Sequence, residues 1–327
     1  MGQFAHDVVP EEATQKIDPN IVKTLPQRPL VVSIETLQST PWARTARVYA
    51  EEDVSYFLKV TKGQQKRDMV RGEFEAMSII HASASSLAPK PIAWGEYSTV
   101  PELYFFLCEF IDLDKRLPDP HALTSSLIAL HETATSPQGK FGFGHATYHG
   151  GIRIDHGWHD TWEGHFSSTT RALLQREQRV WRWTPEQMEM ESTFFEEVVP
   201  KLLKPLETSK EGIRPSFIHG DMWHDNTAVD RKTGNVVIFD SAGFYAHHEY
   251  EMAVWRQSWN NIGRDYIDAY LAQRPPSEPQ EDLEDRALLY GLRVNILDAI
   301  LYDEEEKYHL NVIDSMMKLV SKFVHNE

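Results

Sequence analysis

The sequence predicts an α+β chain in two lobes: a small, five-stranded N-terminal lobe with one helix over residues 29–111 and a larger, mainly helical lobe over 112–327, behind an N-terminal extension of residues 1–28. Two observations carry that prediction. From Pro29 to Ile111 short β-type segments are interrupted by a single helical stretch, which follows the third of them. Past the turn-rich DLDKRLPDPH the character changes, and most of the remaining chain has helical spacing. No internal repeat or low-complexity tract competes with this division.

The N-lobe elements are PLVVSIETL, ARTARVYA and SYFLKV, then a helix from Gln65 to Ser83, then PIAWGEY and LYFFLCEFI. In the second lobe, helices are expected at Leu123–Thr133, Thr169–Trp183 and Pro185–Leu206, the last with proline in its first turn. The stretch Phe141–His165 is rich in Gly, His and Trp, lacks a period, and is expected to be irregular. Two short strands, TAVD and NVVIFD, are joined by the turn RKTG, and PPSEPQ is a loop before the last two helices.

With 327 residues and 41% hydrophobic content, the chain can bury a large core. Its formal charge of −16 repels phosphate backbones, so nucleic acid is not an expected partner, and a nucleotide has to be held by local groups. A cationic or amine-bearing substrate suits that surface. The one cysteine, Cys108, excludes an internal disulfide and reads as a buried thiol in a reducing compartment. The acidic start MGQFAHDVVPEEA has no apolar segment of a signal, and His6 stands where a myristoylation motif has Ser or Thr. No stretch has the length of a membrane span, so no membrane is expected and a cytoplasmic location is.

In SYFLKV, alternation puts Tyr56, Leu58 and Val60 on one face and Phe57 and Lys59 on the other, so a lysine emerges from an apolar strand. In the next helix Glu73 shares the packed stripe of Val70, Met77 and Ile80, where a carboxylate is costly unless a cation meets it. Lys59 is the expected partner, and such a pair aims an ammonium at a nucleotide's phosphates. In FIHGDMWHDN, Asp221 precedes Asn226 by five residues, and Asp240 ends the apolar strand VVIFD. Phosphoryl transfer needs a carboxylate to orient the attacking hydroxyl and oxygen ligands to hold Mg²⁺. Asp221 suits the first role and Asn226 with Asp240 the second, while His219 is expected to hold the loop backbone.

These residues resemble a known family. HGDMWHDN with FDSAGFYAHHEYEMA is similar to the signature of the fructosamine-3-kinase and ketosamine-3-kinase family, whose protein-kinase-like superfamily also holds the aminoglycoside phosphotransferases. FLKV, GEFEAM, APKPIAWG and FFLCEF agree with its upstream pieces, and FGFG with Trp158 and Trp162 resembles its substrate-side insertion. The resemblance implies a two-lobed, protein-kinase-like enzyme that uses ATP and Mg²⁺ to phosphorylate a sugar hydroxyl of a ketoamine, free or protein-linked, as a deglycation step. It further implies that adenine contacts backbone between Glu109 and Ile111 and that Trp223 lies against the sugar. His224, Asp225 and Trp158 complete the implied acceptor side.

Three departures from the family pattern are visible. No glycine occurs between Leu30 and Lys62, so Ser39, Thr40 and Arg44 are the expected phosphate contacts in place of a glycine loop. Asp225 replaces the usual small residue before the metal asparagine, and DSAG replaces DPAS. Other readings stay open: a kinase of another small hydroxylated amine, or a nucleotide-binding pseudokinase. In HATYHGGIRIDHGWHDTWEGH, five histidines (His145, His149, His156, His159 and His165) suggest either a zinc site or, with Asp155, Asp160 and Glu163, an acceptor loop receiving a cationic amine.

Overall fold

The computed structural model describes residues 8–27, 29–40, 43–209 and 212–324. Residues 1–7 of the expected extension lie outside them. Strands β1 (Val31–Ser39), β2 (Arg44–Ala50), β3 (Ser55–Lys62), β4 (Pro91–Glu96) and β5 (Leu103–Glu109) form one antiparallel sheet in the order β1-β2-β3-β5-β4.

The outer face of this sheet carries Ala46, Val48, Leu58, Val60, Phe105 and Leu107, and the residues ahead of it cover that face. Val9, Ala13, Ile21 and Leu25 are buried there, the last two on and just after a short helix, α1 (Pro19–Thr24). Full burial of Ile21 alone contributes about 1.5–3 kcal/mol. Asp18 starts α1 by accepting from the Asn20 amide at 2.8 Å, and its carboxylate also accepts from the Ser98 and Thr99 amides at 3.0 and 3.1 Å. Residues 9–25 of the segment expected as an extension are therefore part of the lobe: their apolar side chains are the lid that a half-buried sheet needs.

Helix α2 (Lys66–Ser83) packs on the opposite, cleft-side face, with Val70, Ala76, Met77 and Ile80 inward. The sheet ends at Glu109, and the next strand, β6 (Leu113–Asp114), already pairs with the second lobe.

In that lobe α3 (Pro120–Thr133) begins on Asp119, which accepts from the Ala122 amide at 3.1 Å. The stretch expected to be irregular instead forms β7 (Phe141–Phe143), the hairpin β8 (Thr147–His149) and β9 (Ile152–Ile154), and β10 (Gly157–His159). These strands are too short to show a period of two. Helix α4 (Trp162–Val180) starts seven residues before the expected Thr169, because Thr161 caps the Gly164 amide at 3.1 Å. Helices α5 (Pro185–Thr193) and α6 (Val199–Thr208) run on through a π-helical turn.

Strands β11 (Ser216–Ile218), β12 (Thr227–Asp230), β13 (Val236–Ile238) and β14 (Phe244–Ala246) frame the loops that carry Asp221, Asn226 and Asp240. A 3₁₀ segment, His248–Arg256, leads to α7 (Arg264–Gln273), α8 (Leu283–Leu301) and α9 (Glu306–Val324). Among the described residues no helix is long and apolar enough to cross a membrane.

The lobes meet at a second seam besides the β5–β6 connection. Gly72 of α2 rests against β8 so closely that a β-carbon there would lie 2.1 Å from the Ala146 carbonyl oxygen. Arg153 of β9 pairs with Asp68 of α2, and the Tyr148 hydroxyl donates to the Gln65 carbonyl at 3.0 Å.

Candidate active site

Lys59 sits on the cleft face, 15% exposed, with its ammonium 2.9 Å from Glu73 and also paired to Asp240. Burial works against its charge, but the two carboxylates overcome this and raise its pKa. Burial pushes Glu73 up to about 7 against the pull of Lys59. Asp240 is pulled the other way: desolvation opposes its charge, but Lys59 holds the carboxyl below the usual range. Half of the Asp240 side chain faces the cleft at 51% exposure, so this contact is screened and stays open to a ligand. The Lys59–Glu73 pair is the one that the strand alternation and the helix stripe predicted; that Asp240 of the other lobe meets the same cation was not foreseen.

The catalytic loop is fixed from beneath by its backbone. Gly220 has φ +80°, and a β-carbon there would lie 2.6 Å from the Ala242 carbonyl oxygen, so only glycine fits. The buried Glu251 carboxylate accepts from the His219 amide at 2.6 Å and the Gly220 amide at 3.0 Å. The imidazole Nε2 of His219 lies 2.9 Å from the Phe239 carbonyl, which ties the loop to the strand end before Asp240. Ser241, from the altered DSAG, donates to the His219 carbonyl at 2.9 Å, and the Trp255 indole donates to the Met222 carbonyl at 2.9 Å. Asp240 itself takes φ +60°, a strained setting that short polar side chains tolerate.

Asn226 Nδ2 donates to the Asp221 carbonyl at 2.8 Å and lies 3.2 Å from its carboxylate. That leaves Asn226 Oδ1 and the exposed Asp240 carboxylate as oxygen donors, a set suited to a hard cation such as Mg²⁺. At the hinge, the Glu109 amide donates to Lys90 at 2.9 Å and the Phe110 amide to Ser55 at 3.1 Å, whereas the Ile111 amide has no acceptor among the described residues. A ring nitrogen of adenine would find its donor there.

One expected residue lies elsewhere. Arg44 pairs in register with Val60 while Thr45 pairs with Lys59, which puts Arg44 on the outer face. Its guanidinium donates to the Val9 carbonyl at 2.9 Å and meets Glu11 at 3.5 Å, so it does not face phosphates. Thr40 closes a tight turn on Ala43, 3.1 Å from its amide, and Ser39 ends β1 beside it. Trp158 stacks on Tyr245 with ring centroids 6.0 Å apart; the second indole beside Trp223 is Trp259, at 6.1 Å.

On the acceptor side, His149 Nδ1 lies 3.5 Å from Asp221 Oδ1. The His224 ring is 3.1 Å from Asn260 Oδ1, and Asp225 is exposed. Two of the three acids expected to receive a cation are engaged by one, Asp155 with Arg153 at 2.8 Å and Asp160 with Lys140 at 3.0 Å, while Glu163 accepts from the Ser167 hydroxyl at 3.3 Å. His156 and His165 stack inside the core with centroids 5.5 Å apart. A buried group with metal-ligand proximity does occur at His247, His248 and Glu249, but Arg286 already binds Glu249 at 2.8 and 3.0 Å.

Sequence reasoning did not single out Glu251, Trp259 or Asp298, nor the contact of His149 with Asp221. Glu251 and Asp298 did leave a signal, each an acid in an otherwise buried run, the same signal that exposed Glu73.

A two-lobed fold with a nucleotide lysine, a rigid loop bearing a carboxylate and an amide, and a strand-end aspartate defines a kinase-like phosphotransferase. Residues 18–321 match the model of the fructosamine kinase family, and the chain belongs to that family. It is 26% identical to the Mus musculus ketosamine-3-kinase over 259 residues, 72% of this chain and 79% of the mouse protein. A Thermobifida fusca YX-ER1 crystal structure with a provisional fructosamine-3-kinase name superposes with a TM-score of 0.71 at 20% identity, covering 93% of this chain and 98% of that one. A thermostable mutant of aminoglycoside phosphotransferase APH(4)-Ia, in ternary complex with AMP-PNP and hygromycin B, gives a TM-score of 0.61 at 15% identity over 93% and 97% of the two chains. At these identities the structural likenesses establish the fold.

Proposed function

We propose that this protein transfers the γ-phosphoryl group of ATP to a sugar hydroxyl of a ketoamine. One observation carries the reading: in a chain of the fructosamine kinase family, Lys59 joins Glu73 of one lobe to Asp240 of the other. Asp221 and Asn226 stand on one braced loop of that second lobe. Asn226 and Asp240 would hold Mg²⁺, whose part is to neutralise phosphate charge.

Asp221 orients the acceptor hydroxyl and takes its proton as the oxygen bonds to phosphorus. The bond from phosphorus to the bridging oxygen breaks, and ADP leaves with that electron pair. Lys59 keeps its proton throughout and supplies a fixed positive charge. The backbone bonds from Glu251, Ser241 and Trp255 hold the loop so that Asp221 is in place before the acceptor arrives.

ADP release measured over a panel of fructosamines and ribulosamines, free and on protein lysine, tests this reading against an aminoglycoside panel. Turnover of the ketoamines supports it. Turnover confined to aminoglycosides would replace it with the reading of another hydroxylated amine, and nucleotide binding without turnover of any acceptor would point to a pseudokinase.

A further inference from the structure

Resting on the ketoamine reading, we infer that Asp298 is the specificity-determining residue that receives the acceptor's protonated amine, beside the indole of Trp259, whose ring meets Trp223 two residues after Asp221. Helix α8 carries Asp298 as a buried acid among the apolar Ile296, Leu297, Ala299 and Ile300, and the helix itself packs against β9, the partner strand of the one ending in His149. The residue is 9% exposed, and its one hydrogen-bond donor among the described residues is the Trp259 indole, 3.3 Å from Oδ2. No cation is bonded to it, in contrast to Asp155, Asp160 and Glu249, each of which has an Arg or Lys partner.

Trp259 is 41% exposed, an unusual setting for the largest apolar side chain, and its ring meets that of Trp223, two residues after Asp221. A buried carboxylate beside half-open indoles is the arrangement that recognises an alkylammonium, through charge and through the ring faces. Burial raises the Asp298 carboxyl to about 6, and the Trp259 indole pulls it the other way. A ketoamine has its sugar on an amine that is cationic at neutral pH, so a hydroxyl held at Asp221 leaves the amine a short distance away.

The test compares wild type and Asp298→Asn with a fructosamine and with the same ketose joined through an ether oxygen, which carries no charge. The asparagine variant is expected to lose about 10- to 100-fold in kcat/KM for the amine, mostly through KM, and less than about threefold for the ether. Asp298→Glu, which restores the charge, is expected to keep the preference for the amine, and it guards against a folding defect in the asparagine variant. Equal losses on both acceptors, or no loss on the amine, would overturn the inference while leaving the ketoamine reading intact. If wild type turns over no ketoamine, the reading falls first and the inference falls with it.

Discussion

His149 Nδ1 stands 3.5 Å from Asp221 Oδ1, so the residue expected to take the acceptor proton meets a side chain of the β8–β9 hairpin. This contact brings the hairpin to the side chain proposed as the base. Asp221→Asn is expected to lower kcat by about 10²- to 10⁴-fold while ATP binding persists, and unchanged turnover would remove Asp221 from its role. His149→Ala is expected to lower kcat by about tenfold, since it removes a neighbour of the base and not the base itself. Steady-state kinetics with saturating ATP separates the two.

Asp240→Ala should abolish the thermal stabilisation produced by Mg-ATP. A ligand at 100 times its Kd stabilises by about 2.7 kcal/mol, a shift that differential scanning fluorimetry resolves. Persistence of the full shift in the variant would show that Asp240 is not the metal ligand.

Glu251 accepts the His219 and Gly220 amides from a fully buried position. Glu251→Ala leaves both donors unpaired and should cost about 2–4 kcal/mol, read as a lower urea midpoint with an unchanged slope. Glu251→Gln keeps one acceptor and should lose less.

Acid should destabilise the fold below pH 6.5. Burial lowers the pKa of His131, His156, His165, His247 and His248, that of His247 to about 4. Between those folded values and the unfolded value of 6.5 the unfolded chain binds more protons, so stability falls as pH falls through that window. Each such group contributes up to about 1.4 kcal/mol per pH unit. Glu73, Glu177, Asp282 and Asp298, each raised mainly by burial, act in the opposite sense over part of the same window but are fewer than the five histidines. Thermal melts from pH 7.5 to 5 check the direction, and a flat or rising Tm would contradict it.

Much of the site was legible because its charges contradict their surroundings. Lys59 breaks an apolar strand and Glu73 an apolar helix stripe, and each finds the partner that the cost of burial demands. The order of Asp221, Asn226 and Asp240 is likewise a local property of the chain. What escaped depends on register and on distant packing. Whether Arg44 shares a face with Lys59 or with Val60 turns on a one-residue register between β2 and β3 that alternation within either strand leaves open. That Trp259 meets Trp223 depends on how the segment after the 3₁₀ helix folds back over the loop of Asp221. The cover of residues 9–25 escaped because its apolar residues are sparse and follow no long period, although the sheet face they protect was itself readable.

The β8–β9 hairpin touches both lobes at once: Arg153 and Tyr148 grip α2, the helix of Glu73, while His149 reaches Asp221. Gly72 removes the slack between helix and hairpin. A swing of the small lobe that parted Lys59 from Asp240 would therefore tug on Asp221 as well, and the two lobes turn as gears on one shaft.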